Sequence, residues 1–144
     1  MRLKNKVILI TGSYTGIGRA IARACVKEGA QVILNGLRNE KGQRFVEELG
    51  NNSAIAITMD ITKEEAPEIL INEAVKKFGK LDAVVNNAAM IVSSNINTTD
   101  LSFMRKMLAI NTLAPFAIIQ AALPHLEETN GCVLNIGSIN AWSG

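Results

Sequence analysis

Positive charge runs out early in this chain. After Lys106 there is no lysine or arginine, and the remainder to Gly144 carries only His125, Glu127 and Glu128. Before that point acidic and basic residues are mixed, and the net charge is +2. A nucleic-acid footprint needs clustered cations, so no nucleic acid is expected as a partner. Cysteine is scarce as well. Cys25 and Cys132 stand far apart among apolar neighbours, without the spacing of a metal set or a disulfide framework. They read as two buried small hydrophobes in a reducing, cytoplasmic compartment, with no metal. The opening "MRLKNKVILITG" has only four apolar residues in a row. That is too few for a signal-peptide core, and no window reads as a membrane span. Tyrosine occurs once, at Tyr14.

What is present is ordinary globular composition: 144 residues, 48% apolar and 19% charged. That fits one domain with a core of its own, and no linker or low-complexity segment divides it. Short runs rich in Val and Ile alternate with helical patterns. The expected strands are Val7–Ile10, Val32–Leu34, Ala54–Thr58, Ala83–Val85 and Val133–Ile136. Nearly all-apolar runs of this length suit parallel strands buried on both faces. Gly29, Gly50 and Gly79 follow the first three helical patterns as C-terminal caps should. The alternation predicts right-handed crossovers and a doubly wound parallel α/β sheet, five strands in the order 3-2-1-4-5. A long helical pattern runs from about Leu101 to Glu128 and contains Pro115 and Pro124, where a bend or break is expected.

The stretch "TGSYTGIGRAIA" joins the first strand to the first helix. A tight turn there needs a residue tolerant of unusual backbone angles, which Gly12 supplies. Gly16 lets the chain approach a bulky ligand, and Gly18 lets the helix pack close. Unpaired N–H groups at the helix start, with the helix dipole, favour a pyrophosphate. A glycine-rich turn without a ligand is the alternative.

The spacing G-x-x-x-G-x-G resembles the cofactor loop of the short-chain dehydrogenase/reductase family, and further motifs follow in that family's order. "VVNNAAM" is similar to its Asn-Asn-Ala-Gly signature, with Ala89 where the family usually has glycine. "MDIT" is similar to its adenine-contacting Asp-Val pair, "AINTLAPF" to the segment with its active-site Asn, and "VLNIGSINAW" to the segment with its catalytic Ser. The resemblance covers nearly the whole chain. It implies a single NAD(P)-binding Rossmann-type domain over residues 1–144, and hydride transfer between a nicotinamide and a small alcohol or ketone. The cofactor-binding residues it implies are Gly12, Ser13, Tyr14, Thr15, Gly16, Ile17 and Gly18 in the loop. Asp60 and Ile61 follow the third strand, Asn87, Ala88 and Ala89 the fourth, and Ile110 lies in the long helix. Ser138 and Asn111 fall on catalytic positions. Outside the resemblance the alternatives stay open: Asp60 as a helix cap, Asn111 facing solvent or bonded within its helix, Ser138 as a turn former.

The second strand ends "VILNGLRNEKG". Dinucleotide domains that prefer NAD often carry an acid at this end, on the ribose hydroxyls. Gly36 stands there instead, and Arg38 follows. A cation suits a 2′-phosphate, so NADP(H) is favoured, with Arg38 as the contact and Arg19 as a helper. Glu40 keeps NAD(H) open, and Arg38 as a solvated loop residue is the other reading.

The family's Tyr-x-x-x-Lys pair would lie beyond Gly144, and four residues after Tyr14 stands Gly18. The expectation is therefore a chain that is C-terminally incomplete relative to the family, binds cofactor weakly and turns nothing over. A non-catalytic dinucleotide-binding or interaction module is the alternative. Such a cut would leave the fifth strand as an open edge. It would also uncover the long helix's apolar face at Ile118, Ile119, Ala121, Ala122 and Leu126, so a homo-oligomer through helix or edge is expected. Trp142 lines a substrate cleft or packs on the sheet.

Overall fold

The computed structural model describes residues 1–91 and 94–139. The expected Trp142 therefore lies outside the described residues. Strand β1 (Val7–Ile10) leads into α1 (Gly16–Lys27), β2 (Gln31–Gly36), α2 (Asn39–Leu49), β3 (Ala54–Thr58), α3 (Ala66–Phe78) and β4 (Ala83–Asn86). Then come α4 (Leu101–Leu108), a π-helical turn (Ala109–Leu113), α5 (Ala114–Thr129) and β5 (Cys132–Asn135). All strand pairs are parallel, and the order is β3-β2-β1-β4-β5. The doubly wound sheet is thus the one the alternation predicts. β2 is longer than expected at both ends, and β5 starts one residue earlier. The pairing still reaches Ile136, whose N–H donates to the Asn86 carbonyl at 2.9 Å.

Alternation along β1 builds two cores. Val7 and Leu9 face α3 and α5, packing with Leu70, Ile71, Ile118 and Ala122. Ile8 and Ile10 face the other side, with Ala22 of α1 and Phe45 of α2. Every residue of β1 is therefore buried, which is why the run "VILI" has no polar position. The bottom of the sheet is fixed by Asp82. Its carboxylate accepts from Lys6 Nζ at 2.7 Å, Lys80 Nζ at 2.9 Å and the Val7 N–H at 2.9 Å. Burial pushes this carboxyl up, but the bonds from Lys6, Lys80 and Val7 outweigh it and hold the group below the usual carboxylate range.

The long helical segment refines one expectation and corrects two. First, Pro115 follows a π turn, and Pro124 lies inside α5 without ending it. Proline has no N–H to give and its ring crowds the carbonyl four residues back. The wider π turn just before Pro115 accommodates both facts. Second, Ile118, Ala122 and Leu126 are buried in the core beside α3. The uncovered stripe is a different one: Leu101, Met104, Leu108, Leu113, Phe116 and Leu123 are all exposed. Third, Leu101–Thr129 forms 29 helical residues with a mean hydropathy of 1.5 in its most apolar window. By length and composition it is enough to cross a membrane, although one side is committed to the core. Cys132 departs from expectation too, being exposed on β5, while Cys25 is half-buried; both are free thiols.

Candidate functional site

β1, β2 and β3 run to one side of the sheet and β4 and β5 to the other, so the direction of winding reverses between β1 and β4. Loops leaving the carboxyl ends of those two strands diverge to opposite faces and leave a crevice. A cleft of about 560 Å³ lies there, a volume in the range of small-molecule sites.

Its floor is the β1–α1 loop. Gly12 has φ +61° and Gly16 φ +55°, both in the left-handed region, where a side chain costs roughly 1–2 kcal/mol. A Cβ on Gly12 would stand 2.8 Å from Ala88 Cα, whereas nothing lies within 4 Å of one on Gly16. The first glycine is thus needed to close the loop on β4, and the second opens onto free space. Gly18 allows close packing: its Cβ would stand 2.7 Å from the Gly12 carbonyl oxygen. Thr15 precedes α1 with extended backbone and no side-chain cap. The first N–H groups of that helix thus lack a Thr15 side-chain partner, as an anion site requires.

The loop is stitched to β4. Asn87 Nδ2 donates to the carbonyls of Thr11 at 2.9 Å and Gly12 at 3.1 Å. Thr11 Oγ1 accepts from the N–H groups of Asn87 and Ala88, each at 3.0 Å. Asn87, Ala88 and Ala89 all face the cleft, as do Thr15, Ile17 and Ile110. Ser13 lies underneath, fully buried. Its hydroxyl accepts from the Asn35 N–H at 3.0 Å and donates to the Asn35 carbonyl at 3.3 Å, tying the loop to β2.

Asp60 and Ile61 line the opposite wall. The Asp60 carboxylate accepts from the Thr62 N–H at 2.9 Å and the Thr62 hydroxyl at 2.8 Å. Those two bonds hold its carboxyl below the usual range. It shapes a local turn, and the residue preceding α3 is Glu65, so the helix-cap alternative fails. Arg38 lines the end of the cleft, and Lys41, in the first turn of α2, joins it. Lys41 belongs to no motif in the sequence, although its place three residues after Arg38 puts it on the same side of the α2 start. Arg19 does not reach this end. Its guanidinium bonds Glu48 at 2.7 Å and stacks over Phe45 at 4.5 Å, which commits it to the α1–α2 contact.

Asn111 sits in the π turn and uses both ends of its amide on one residue. Its Oδ1 accepts from the Met90 N–H at 2.8 Å and its Nδ2 donates to the Met90 carbonyl at 2.9 Å. The within-helix alternative does not hold, since both bonds go to Met90, while the residue is exposed as the solvent-facing alternative has it. The side chain instead anchors the chain leaving β4. Ser138 lies just beyond β5 on the same carboxyl edge and is exposed.

A family model described as short chain dehydrogenase matches residues 6–144. The chain belongs to the short-chain dehydrogenase family. It is 33% identical to a meso-2,3-butanediol dehydrogenase of Serratia marcescens over 144 residues, all of this chain and 57% of that protein. It is 40% identical to an L-fucose dehydrogenase of Rattus norvegicus over 141 residues, 96% of this chain and 51% of the relative. Among solved structures, a short-chain dehydrogenase/reductase of unknown function from Caenorhabditis elegans, determined with cofactor, superposes with a TM-score of 0.91 at 31% identity. That match covers 98% of this chain and 55% of the other. The family member thus spans little more than half the length of the curated relatives it matches.

Proposed function

We propose that this chain is the dinucleotide-binding part of an NAD(P)(H)-dependent oxidoreductase acting on a small alcohol or ketone, with NADP(H) preferred over NAD(H). The observation that carries the reading is the cleft at the winding reversal, floored by a left-handed glycine loop and ended by Arg38 and Lys41. The residues fit the group. The open space over Gly16 and the start of α1 suit a diphosphate, the wall at Asp60 and Ile61 suits an adenine, and two cations suit a 2′-phosphate. When bound, the nicotinamide supplies the hydride-carrying carbon. The chain's own residues would bind and orient it: Asn87 holds the loop and Asn111 holds the β4 exit, and we assign to Ser138 the orienting of a substrate oxygen.

Proton transfer needs a donor of matched acidity within reach. Tyr14 does not serve: it is buried, burial raises its pKa, and its hydroxyl pairs with Thr58 at 3.2 Å. This favours the second reading for the 144 residues by themselves, a module that binds nucleotide without turnover. We further place the protein in the cytoplasm, where the free, exposed Cys132 thiol stays reduced. Its exposed α4–α5 stripe is assigned to a second copy of the chain. Titration of the purified chain with NADPH and NADH, followed by an assay of NADPH oxidation with carbonyl compounds, tests the assignment. Binding of NADPH ahead of NADH, without oxidation, is the expected result. Turnover abolished by Ser138→Ala would overturn the non-catalytic reading, and binding of neither nucleotide would overturn both.

A further inference from the structure

We propose that Tyr14 sets the nucleotide preference of the cleft, by excluding any side chain at position 36 at the end of β2. The proposal rests on the dinucleotide reading above and names what enforces its NADP(H) preference. Gly36 is not a glycine for the sake of backbone angle, since its φ is not positive. It is a regular β2 residue in register with Thr58 of β3, and its carbonyl accepts from the Met59 N–H at 3.0 Å. What makes it glycine is space. A Cβ there would fall into the Tyr14 ring, at Cδ2 and Cγ. The same ring accounts for Gly42, which sits inside α2 where glycine is a poor helix former. A Cβ on Gly42 would stand 2.6 Å from Tyr14 Cζ.

Two glycines on two elements therefore make one socket for one ring. The ring is 4% exposed, and its hydroxyl is held by Thr58 Oγ1 at 3.2 Å. It cannot swing aside without losing both the packing and that bond. The end of β2 is where a carboxylate would bond ribose hydroxyls and repel a 2′-phosphate. With Tyr14 in its socket no carboxylate can stand there, and the adjoining cleft wall is left to Leu37, Arg38 and Lys41. Glu40, the nearby acid, is not among the residues lining the cleft. Tyr14 thus acts without touching the phosphate: it fixes which residue types are allowed beside it. The ligand class is a nucleotide carrying a 2′-phosphomonoester on its adenosine ribose.

The test is a double-substitution cycle on the chain, using Gly36→Asp, Tyr14→Ala and the two together. Each variant is titrated calorimetrically with 2′,5′-ADP and with ADP, and each is melted without ligand. The wild type is expected to bind 2′,5′-ADP about tenfold or more tightly than ADP, as charge-assisted bonds to Arg38 and Lys41 imply. Gly36→Asp alone should melt lower and bind both nucleotides poorly. Adding Tyr14→Ala should restore part of the melting temperature and turn the preference toward ADP. Gly36→Ala serves as a milder probe of the same clash, with Tyr14→Phe expected to leave that clash in force. Additive melting losses in the cycle, or a Gly36→Asp variant that prefers ADP with Tyr14 intact, would overturn the inference while leaving the dinucleotide reading standing. Non-additive melting with no nucleotide bound by the wild type would overturn the dinucleotide reading and the assigned ligand with it.

Discussion

Single residues in this chain carry two kinds of work, and the sequence displays them unequally. Gly12, Gly16 and Gly18 are legible because a strand-to-helix turn leaves so few alternatives, and each has the geometry its place implies. Asn111 is legible as a special position but not in its partner, because the Met90 backbone meets it only after the chain has folded. Tyr14 is harder still, since its socket is made of Gly36 and Gly42 on two other elements. Asp82 shows no local pattern at all, yet it joins β1 to β4 at the foot of the sheet. Its folded-state pKa is depressed, so its contribution to stability is present above the unfolded carboxylate pKa and is lost as pH falls through the lower, folded value. Asp82→Asn should cost about 2 kcal/mol at neutral pH, chiefly through the lost charged acceptor of the Val7 N–H. The two lysines are partly exposed, and their ion pairs add little. The variant should also lose part of the acid-side slope of stability. Urea melts from pH 7 downward check this, and parallel curves for variant and wild type would contradict it.

At the scale of elements, strands are clear because burial on both faces leaves only apolar residues, while helix orientation is not. The segment from Leu101 to Thr129 is apolar on more than one side, so hydropathy does not decide which side meets the core. Packing against α3 decides in favour of Ala114, Ile118, Ala122 and Leu126. The exposed stripe then follows a rule of its own. Leu101, Met104 and Leu108 are spaced three and four apart, and Leu113 comes five on, across the π turn. A π turn closes on the fifth residue, so the extra step keeps Leu113 and Phe116 in line with the stripe. Proline explains the local geometry and the stripe explains its use. A row of large apolar side chains left in water marks an interaction surface, which the proposed function assigns to a second copy of the chain. Phe116→Glu should therefore shift sedimentation toward the monomer while leaving the melting temperature of the monomer nearly unchanged. Ile118→Ala should instead cost about 2–5 kcal/mol of stability. Equal sedimentation of Phe116→Glu and wild type would remove the assignment of this face.

For the whole molecule, topology does what no single motif does. The order β3-β2-β1-β4-β5 places the reversal of winding between β1 and β4. The glycine loop and the Asn87 region meet there because of that order, although 76 positions separate Thr11 from Asn87. The edge strand β5 is largely exposed and brings Ser138 to the same rim. The proposed function requires this rim to hold a dinucleotide by its diphosphate, against the loop and the first turn of α1. Backbone amide chemical shifts recorded during a titration with NADPH read that contact residue by residue. Gly12, Thr15, Gly16 and Ile17 should move most, with Arg38 and Lys41 moving in step. Shifts confined to α3, α5 or the outer face of β5, with the loop amides unmoved, would refute a diphosphate held at this loop.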